Sequence, residues 1–209
     1  HFGWATEGAV GSAHKIDASN LSAHINIAYQ LENATRIYGV PILFSGRLQS
    51  KCTEAMKKTM RKIDRVALKG TNEIIDLYTI DIDVSKLTPK ERDQQEGESQ
   101  KKGRKRLKID LIQRIVDGKA RIESLLQTDD DLYLMTKDAG EGLFAETWNQ
   151  TMEAYLKGEW LRAKRLLGEC QALRPNDEPC KALTAYLSRY SFLSPIKWPG
   201  YRDLKEELI

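Results

Sequence analysis

The chain has 209 residues, 41% of them apolar and 30% charged, with a net charge of +3 at neutral pH. That length holds one ordinary domain, or a small domain plus an extension, and the composition is that of a soluble, charge-rich protein. The charge is too small to imply a nucleic-acid partner, and no run approaches the roughly 18 apolar residues of a membrane helix. No signal-peptide pattern is visible, so membrane attachment would have to come from polypeptide outside this chain. The three cysteines, Cys52, Cys170 and Cys180, are odd in number and lack metal-type spacing. They fit a reducing, cytoplasmic compartment and are expected to be ordinary thiols.

In chain order, His1-Phe2-Gly3-Trp4-Ala5 has no Met and begins inside what reads as a strand. The chain is therefore expected to be a piece of a longer polypeptide. Thr6 to Ala13 reads as a turn, because Gly8 and Gly11 allow backbone conformations that larger residues resist. Their spacing is not that of a Walker loop, and no Lys-Ser/Thr pair follows. His14 to Asn20 reads as the next strand. Ser22 is the expected N-cap of a helix in which Ile25, Ala28, Leu31, Glu32 and Thr35 fall at helical spacing. Gly39 ends it and Pro41 follows. Val40 to Phe44 is an apolar run of strand type. Met60 to Leu68 alternates Ile63, Arg65 and Ala67 against Asp64, Val66 and Leu68. It is expected to pair with Glu73 to Ile82 across a Gly70-Thr71-Asn72 turn.

The composition changes between Asp83 and Gln127. Thr88-Pro89 could open a short helix. Asp93 to Lys108 is almost wholly polar, with a basic run from Gln100 to Arg106. This reads as a solvated linker or exposed helix; the alternative is docking on an acidic protein surface or anionic lipid. No aromatic residues interleave with the run, which argues against nucleic acid. Leu107, Leu111, Ile115, Ile122 and Leu125 then carry helical periodicity. Asp129-Asp130-Asp131 reads as a helix N-cap cluster rather than a cation site. From Gly142 onward the chain reads as helices with three stripes. These are Phe144, Trp148, Met152 and Tyr155; Trp160, Ala163, Leu167, Cys170 and Leu173; and Leu183, Leu187 and Tyr190. The Gly-x-Trp turn and Pro175 resemble one tetratricopeptide unit, which cannot bury its own face and must pack on the domain or a partner. Trp198-Pro199-Gly200-Tyr201 reads as a closing segment that pins the tail down.

Several of these stretches, in this order, resemble the second half of a class III nucleotidyl cyclase domain. Ile25-Asn26-Ile27-Ala28-Tyr29-Gln30-Leu31-Glu32 resembles the family's V-N-x-A-x-R-L-E helix. Arg65 to Gly70 and Ile74 to Tyr78 resemble its closing hairpin with the V-K-G turn. Tyr155 to Trp160 and Leu173 to Asp177 resemble the helical extension of protist-type adenylate cyclases. The resemblance implies an α+β fold: a ferredoxin-like cyclase half-domain (residues 1–83), its sheet mostly antiparallel with a helix. A charged linker (84–127) and a TPR-like α-helical tail (128–209) would follow. It places the first strand in the middle of the sheet.

The chemistry implied is attack of a ribose 3′-hydroxyl on the nucleotide's own α-phosphate, with pyrophosphate expelled. Mg²⁺ or Mn²⁺ ions assist that step, and in the family their two aspartates precede this stretch. No paired carboxylate here matches them, so metal ions would be held by residues outside this chain. By the resemblance, Asp17 would accept a hydrogen bond from the adenine of ATP, Asn26 would orient the ribose and Lys69 would reach the triphosphate. Each has an ordinary alternative: a strand-end aspartate, a first-turn helix residue and a hairpin lysine in water. Gln30 departs from the family, which places arginine there. An amide carries no charge and cannot make the forked contact of guanidinium. Losing one such preorganised group costs on the order of 10²–10³ in rate.

Three functions are therefore expected. The first is a catalytically degenerate cyclase-homology module that serves as a structural or regulatory partner of a second cyclase-type domain. Its setting would be a larger assembly, ciliary or cytoskeletal by analogy with protist relatives. The second is a working adenylate cyclase half at a composite dimer site. The third is an interaction scaffold that holds no nucleotide.

Overall fold

A computed structural model describes residues 1–12, 15–83, 86, 106, 109–136 and 142–205. The elements in chain order are β1 (Thr6–Ser12), β2 (Lys15–Leu21), α1 (Ala23–Tyr38), β3 (Phe44–Ser45), α2 (Gly46–Gln49), α3 (Glu54–Thr59), β4 (Met60–Ala67) and β5 (Ile74–Ile80). After these come α4 (Ile122–Thr128), α5 (Asp130–Thr136), α6 (Gly142–Leu156), α7 (Trp160–Leu173), α8 (Glu178–Ser188) and β6 (Arg202–Asp203). The fold is α+β. It divides into one compact unit of His1–Ile80 with Ala139–Ile209, and a second of Asp81–Asp138.

In the larger unit, β1 and β2 pair antiparallel along their whole length, from Thr6 opposite Leu21 to Ser12 opposite Lys15. This corrects the sequence expectation of a strand over 1–5 and a turn over Thr6–Ala13. Seven residue pairs zip the two segments together, and neither Gly8 nor Gly11 has a positive φ. Residues 1–5 have no ladder partner. The hairpin also lies outside the four-stranded sheet, whose order is β3-β5-β4-β6, so the first strands do not occupy its middle.

The helix α1 forms where its caps predict. Ser22 Oγ accepts from the His24 N–H at 3.1 Å. Gly39 takes the left-handed conformation, φ 61°, and its N–H bonds to the Thr35 carbonyl. The buried stripe is Ile27, Leu31, Ala34 and Tyr38, rotated from the expected one: Ala28 and Glu32 face solvent.

Against this stripe lies the β4–β5 hairpin. A bulge between Lys62 and Asp64 breaks the register, which is why strict alternation fails. Ile63 and Asp64 are both buried, as two residues that oppose one across a bulge can be. Of the expected strand Val40–Phe44, only Phe44 pairs, extended by Ser45. Two short helices, α2 and α3, begin at Ser45 and Thr53, whose hydroxyls accept from the Leu48 and Met56 amides.

The tail helices bury the stripes read from sequence, except that Leu173 and Tyr190 remain partly exposed. These three helices share one core with α1, β4 and β5. The Trp148 indole donates to the Lys62 carbonyl at 2.7 Å. Arg61, on β4, is stacked near Phe144 and Trp148, with 5.3 and 4.9 Å to the ring centres. It makes a forked ion pair with Asp177 at 3.1 and 2.8 Å. Asp177 also caps α8 by accepting from the Cys180 N–H.

The closing segment behaves as expected, with the Trp198 indole bonded to the Leu156 carbonyl. Beyond it, β6 adds a short parallel strand to β4, continued by the Leu204 N–H bonded to the Ala67 carbonyl. One apolar core runs from α1 through β4 and β5 to the tail.

In the smaller unit, a helical stretch over 109–116 precedes α4 and α5. Asp129 accepts from the Leu132 N–H at 2.9 Å, the cap role expected of the acidic triplet. No group of metal-ligating side chains occurs among the described residues. The expected helix start at Thr88 and the basic run, save Arg106, lie outside the described residues. No helix among those described is long and apolar enough to cross a membrane.

Two stability predictions follow from the buried charges. Replacing Arg61 with Met strands the Asp177 carboxylate, whose side chain is 8% exposed. The expected loss is about 3–5 kcal/mol in urea unfolding, and adding Asp177→Asn should recover part of it.

Asp64 accepts from the Tyr38 hydroxyl at 2.6 Å and the Arg65 N–H at 2.7 Å. Burial is the largest influence and pushes its carboxyl up to about 6, against the opposing pull of Tyr38 and Arg202. The native state then holds this proton more tightly than the unfolded chain. Stability is expected to fall by roughly 3 kcal/mol as pH rises from about 4 to about 6, then level off. In Asp64→Asn that component should be missing from the same titration.

Candidate functional site

The α1 helix and the turn between β4 and β5 bring three of the four expected residues together. Gln30 lies two turns into α1, where its side chain meets the backbone of Lys69. Its Nε2 donates to the Lys69 carbonyl at 2.7 Å, and its Oε1 accepts from the Lys69 N–H at 2.9 Å. The amide thus acts like one rung of a β-ladder and fastens the turn to the helix. Guanidinium has donors only, so arginine at this position could not accept from the Lys69 N–H.

Asn26 stands one helical turn before Gln30, on the same side of α1 and exposed to solvent. Lys69 is also exposed. Asn26 and Gln30 therefore share one side of α1, and Gln30 joins that side to the backbone of Lys69. Tyr29 beside them is 67% exposed. Asp17 sits on β2 opposite Val10, in the separate hairpin, and its side chain lies outside what the structure describes.

A second polar group near the start of α1 has no counterpart in the sequence reading. His1 bonds to the Ser45 hydroxyl at 2.8 Å and to the His24 ring at 3.1 Å. Arg47 approaches the same His24 ring at 3.4 Å and pairs with Glu73 at 3.9 Å. Gly3 is required here: a Cβ on it would lie 2.1 Å from the His24 ring. These residues are scattered over more than 70 positions, so no local spacing announces them. Arg47 is a cation held near the first turn of α1 and the strand after the Lys69 turn, where the sequence reading expects no arginine.

The remaining cations of the hairpin are occupied. Arg65 and Lys62 both pair with Asp76, at 2.7 and 2.8 Å. Burial raises the Asp76 carboxyl, but bonds from these two cations outweigh it and leave the group below its ordinary value. A cavity of about 170 Å³ runs beside α1, lined by His1, Leu31, Glu32, Thr35, Pro41 and Leu43 among others. It contains none of the four expected residues and is smaller than a drug-sized ligand site of roughly 300–1,000 Å³.

Known proteins give a limited match. No family model and no solved structure matches the chain. Over 80 residues the chain is 28% identical to "Adenylate cyclase 1" of Rhizobium meliloti (strain 1021). That stretch is 38% of this chain and 12% of the relative, so the chain spans a small part of the curated protein it matches. What these comparisons establish is a partial similarity to an adenylate cyclase.

Proposed function

We propose that this chain is the second half of a cyclase-like module, together with its helical tail, within a larger signalling protein. In this reading the module pairs with a second cyclase-type domain and has lost most or all turnover. The observation that carries it is the pair of hydrogen bonds between the Gln30 amide and the Lys69 backbone. A residue that the chemistry would need as a free cation is neutral and is spent on holding a turn. The partial similarity to an adenylate cyclase supports the choice of module.

Asn26 and Lys69 remain exposed, so ATP binding is retained in the proposal: Lys69 meets the triphosphate and Asn26 the ribose. Asp17 would read the adenine amino group. Mg²⁺ or Mn²⁺, where bound, would neutralise phosphate charge and acidify the 3′-hydroxyl, on carboxylates outside this chain. The partner domain and the tail then make the module a structural or regulatory subunit in the cytoplasm.

The test uses the parent protein with its partner domain. Titration with ATP in the presence of Mn²⁺ is expected to show binding that weakens about tenfold or more in Lys69→Ala. Cyclic AMP formation is expected to stay far below ordinary enzyme rates; turnover of roughly 1 s⁻¹ or more would overturn the loss of activity. Absence of ATP binding would favour a scaffold without nucleotide.

A second measurement concerns the clamp itself. Gln30→Arg leaves the Lys69 N–H without its acceptor, and the exposed setting lets water replace part of the bond. Stability in urea is expected to drop by about 0.5–1 kcal/mol, with no recovery of cyclase turnover from that substitution alone.

A further inference from the structure

The chain that leaves α8 is held in an uncommon backbone. Ser191 and Phe192 both take the left-handed conformation, with φ 55° and 60°. Side chains other than glycine rarely adopt it, and it persists only where surrounding contacts impose it. Those contacts are present. The N–H groups of Ser191 and Phe192 bond back to the Ser188 and Leu187 carbonyls at 2.9 and 3.0 Å. The Phe192 ring packs against the core, with the Lys164 ammonium of α7 4.6 Å from its centre. At the other end the Trp198 N–H bonds to the Pro195 carbonyl at 3.0 Å, and the indole packs against Tyr155 and Trp160. Both ends of the loop are fixed, and the residues between them face outward. Leu193 is 60% exposed and Ile196 104%, so Ile196 projects beyond the surface around it.

Charge here is one-sided. From Pro179 to Arg202 the sequence carries Lys181, Arg189, Lys197 and Arg202 and no aspartate or glutamate. Arg189 and Lys197 flank the loop and are exposed, as is Lys164 on α7. The acidic side chains Glu159 and Glu169, at the start of α7 and within it, are paired with Arg162 and Arg165 at 2.9 and 3.4 Å. Projecting aliphatic groups flanked by cations are the two parts of an interfacial membrane contact: apolar groups enter the acyl boundary and cations meet anionic headgroups.

We propose that the loop from Tyr190 to Lys197 is a peripheral contact with an anionic lipid surface. Leu193 and Ile196 enter the bilayer interface, the half-exposed Tyr190 lies at headgroup level, and Arg189, Lys197 and Lys164 meet the acidic headgroups. The shape favours lipid. A protein partner needs a pocket cut for Ile196, whereas acyl chains receive a projecting aliphatic group of any shape. The strained turn gives the loop its aim, because Phe192 is drawn into the core while Leu193 is turned out. This inference stands apart from the cyclase reading and uses none of its residues.

Co-sedimentation of the full chain with vesicles tests this, using phosphatidylcholine alone and phosphatidylcholine with added phosphatidylserine. Binding is expected only to the vesicles that contain phosphatidylserine, and it should weaken as salt is raised. Ile196→Asp should weaken it about tenfold or more, through loss of the inserted group. Lys197→Glu should weaken it roughly fivefold or more. Both positions are exposed, so the thermal midpoint should stay unchanged in each variant. No vesicle binding, equal binding to both vesicle types, or binding that survives both substitutions would each overturn the proposal. So would capture of polyglutamate without vesicle binding, which assigns the loop to an acidic protein. Self-association that Ile196→Asp abolishes, again without vesicle binding, would overturn it in favour of a second copy of the chain.

Discussion

A guanidinium buried against two aromatic rings fixes how the parts of this molecule's larger unit meet. Arg61 leaves β4, passes Phe144 and Trp148 of α6, and ends on the carboxylate that caps α8. An ion pair this deep is not stabilising merely because it is buried, since both charges must be stripped of water. It is a constraint on arrangement. The fork of Arg61 fits Asp177 in one geometry, and Asp177 in turn fixes where α8 starts. Around that joint the Trp148 indole finds the Lys62 carbonyl, and β6 finds the free edge of β4. The sheet has few strands and would expose an apolar face without the tail. The tail helices, short of partners of their own, would expose theirs without the sheet.

The candidate surface is built by a smaller version of the same device. In the Gln30–Lys69 contact a side chain replaces a strand neighbour and bonds both backbone groups of one residue. That contact changes the meaning of the glutamine. Viewed along the chain it is a missing charge. In three dimensions it is a strut with its own structural task, one that arginine could not perform.

Much of this was legible in the residues. The caps at Ser22 and Gly39, the β4–β5 turn and the aromatic stripes of the tail follow from local rules, because each depends on groups within a few positions. Asn26 and Lys69 were singled out only through a resemblance, since nothing in an isolated helix asparagine or hairpin lysine marks a site. The rotation of the α1 stripe, the bulge before Asp64 and the pairing of Thr6–Ser12 were not legible. Each depends on which surface arrives opposite, and alternation or glycine content cannot report that.

By itself, then, the sequence determined where helices start and stop, that α and β elements mix, and that the tail must find a surface to cover. Those properties are set by short-range hydrogen bonding and by the period of apolar residues. Only the tertiary structure decided that Arg61 and Asp177 meet across more than 100 positions and that Gln30 grips Lys69. Such contacts join residues far apart along the chain, and their partners are selected by packing of the whole core.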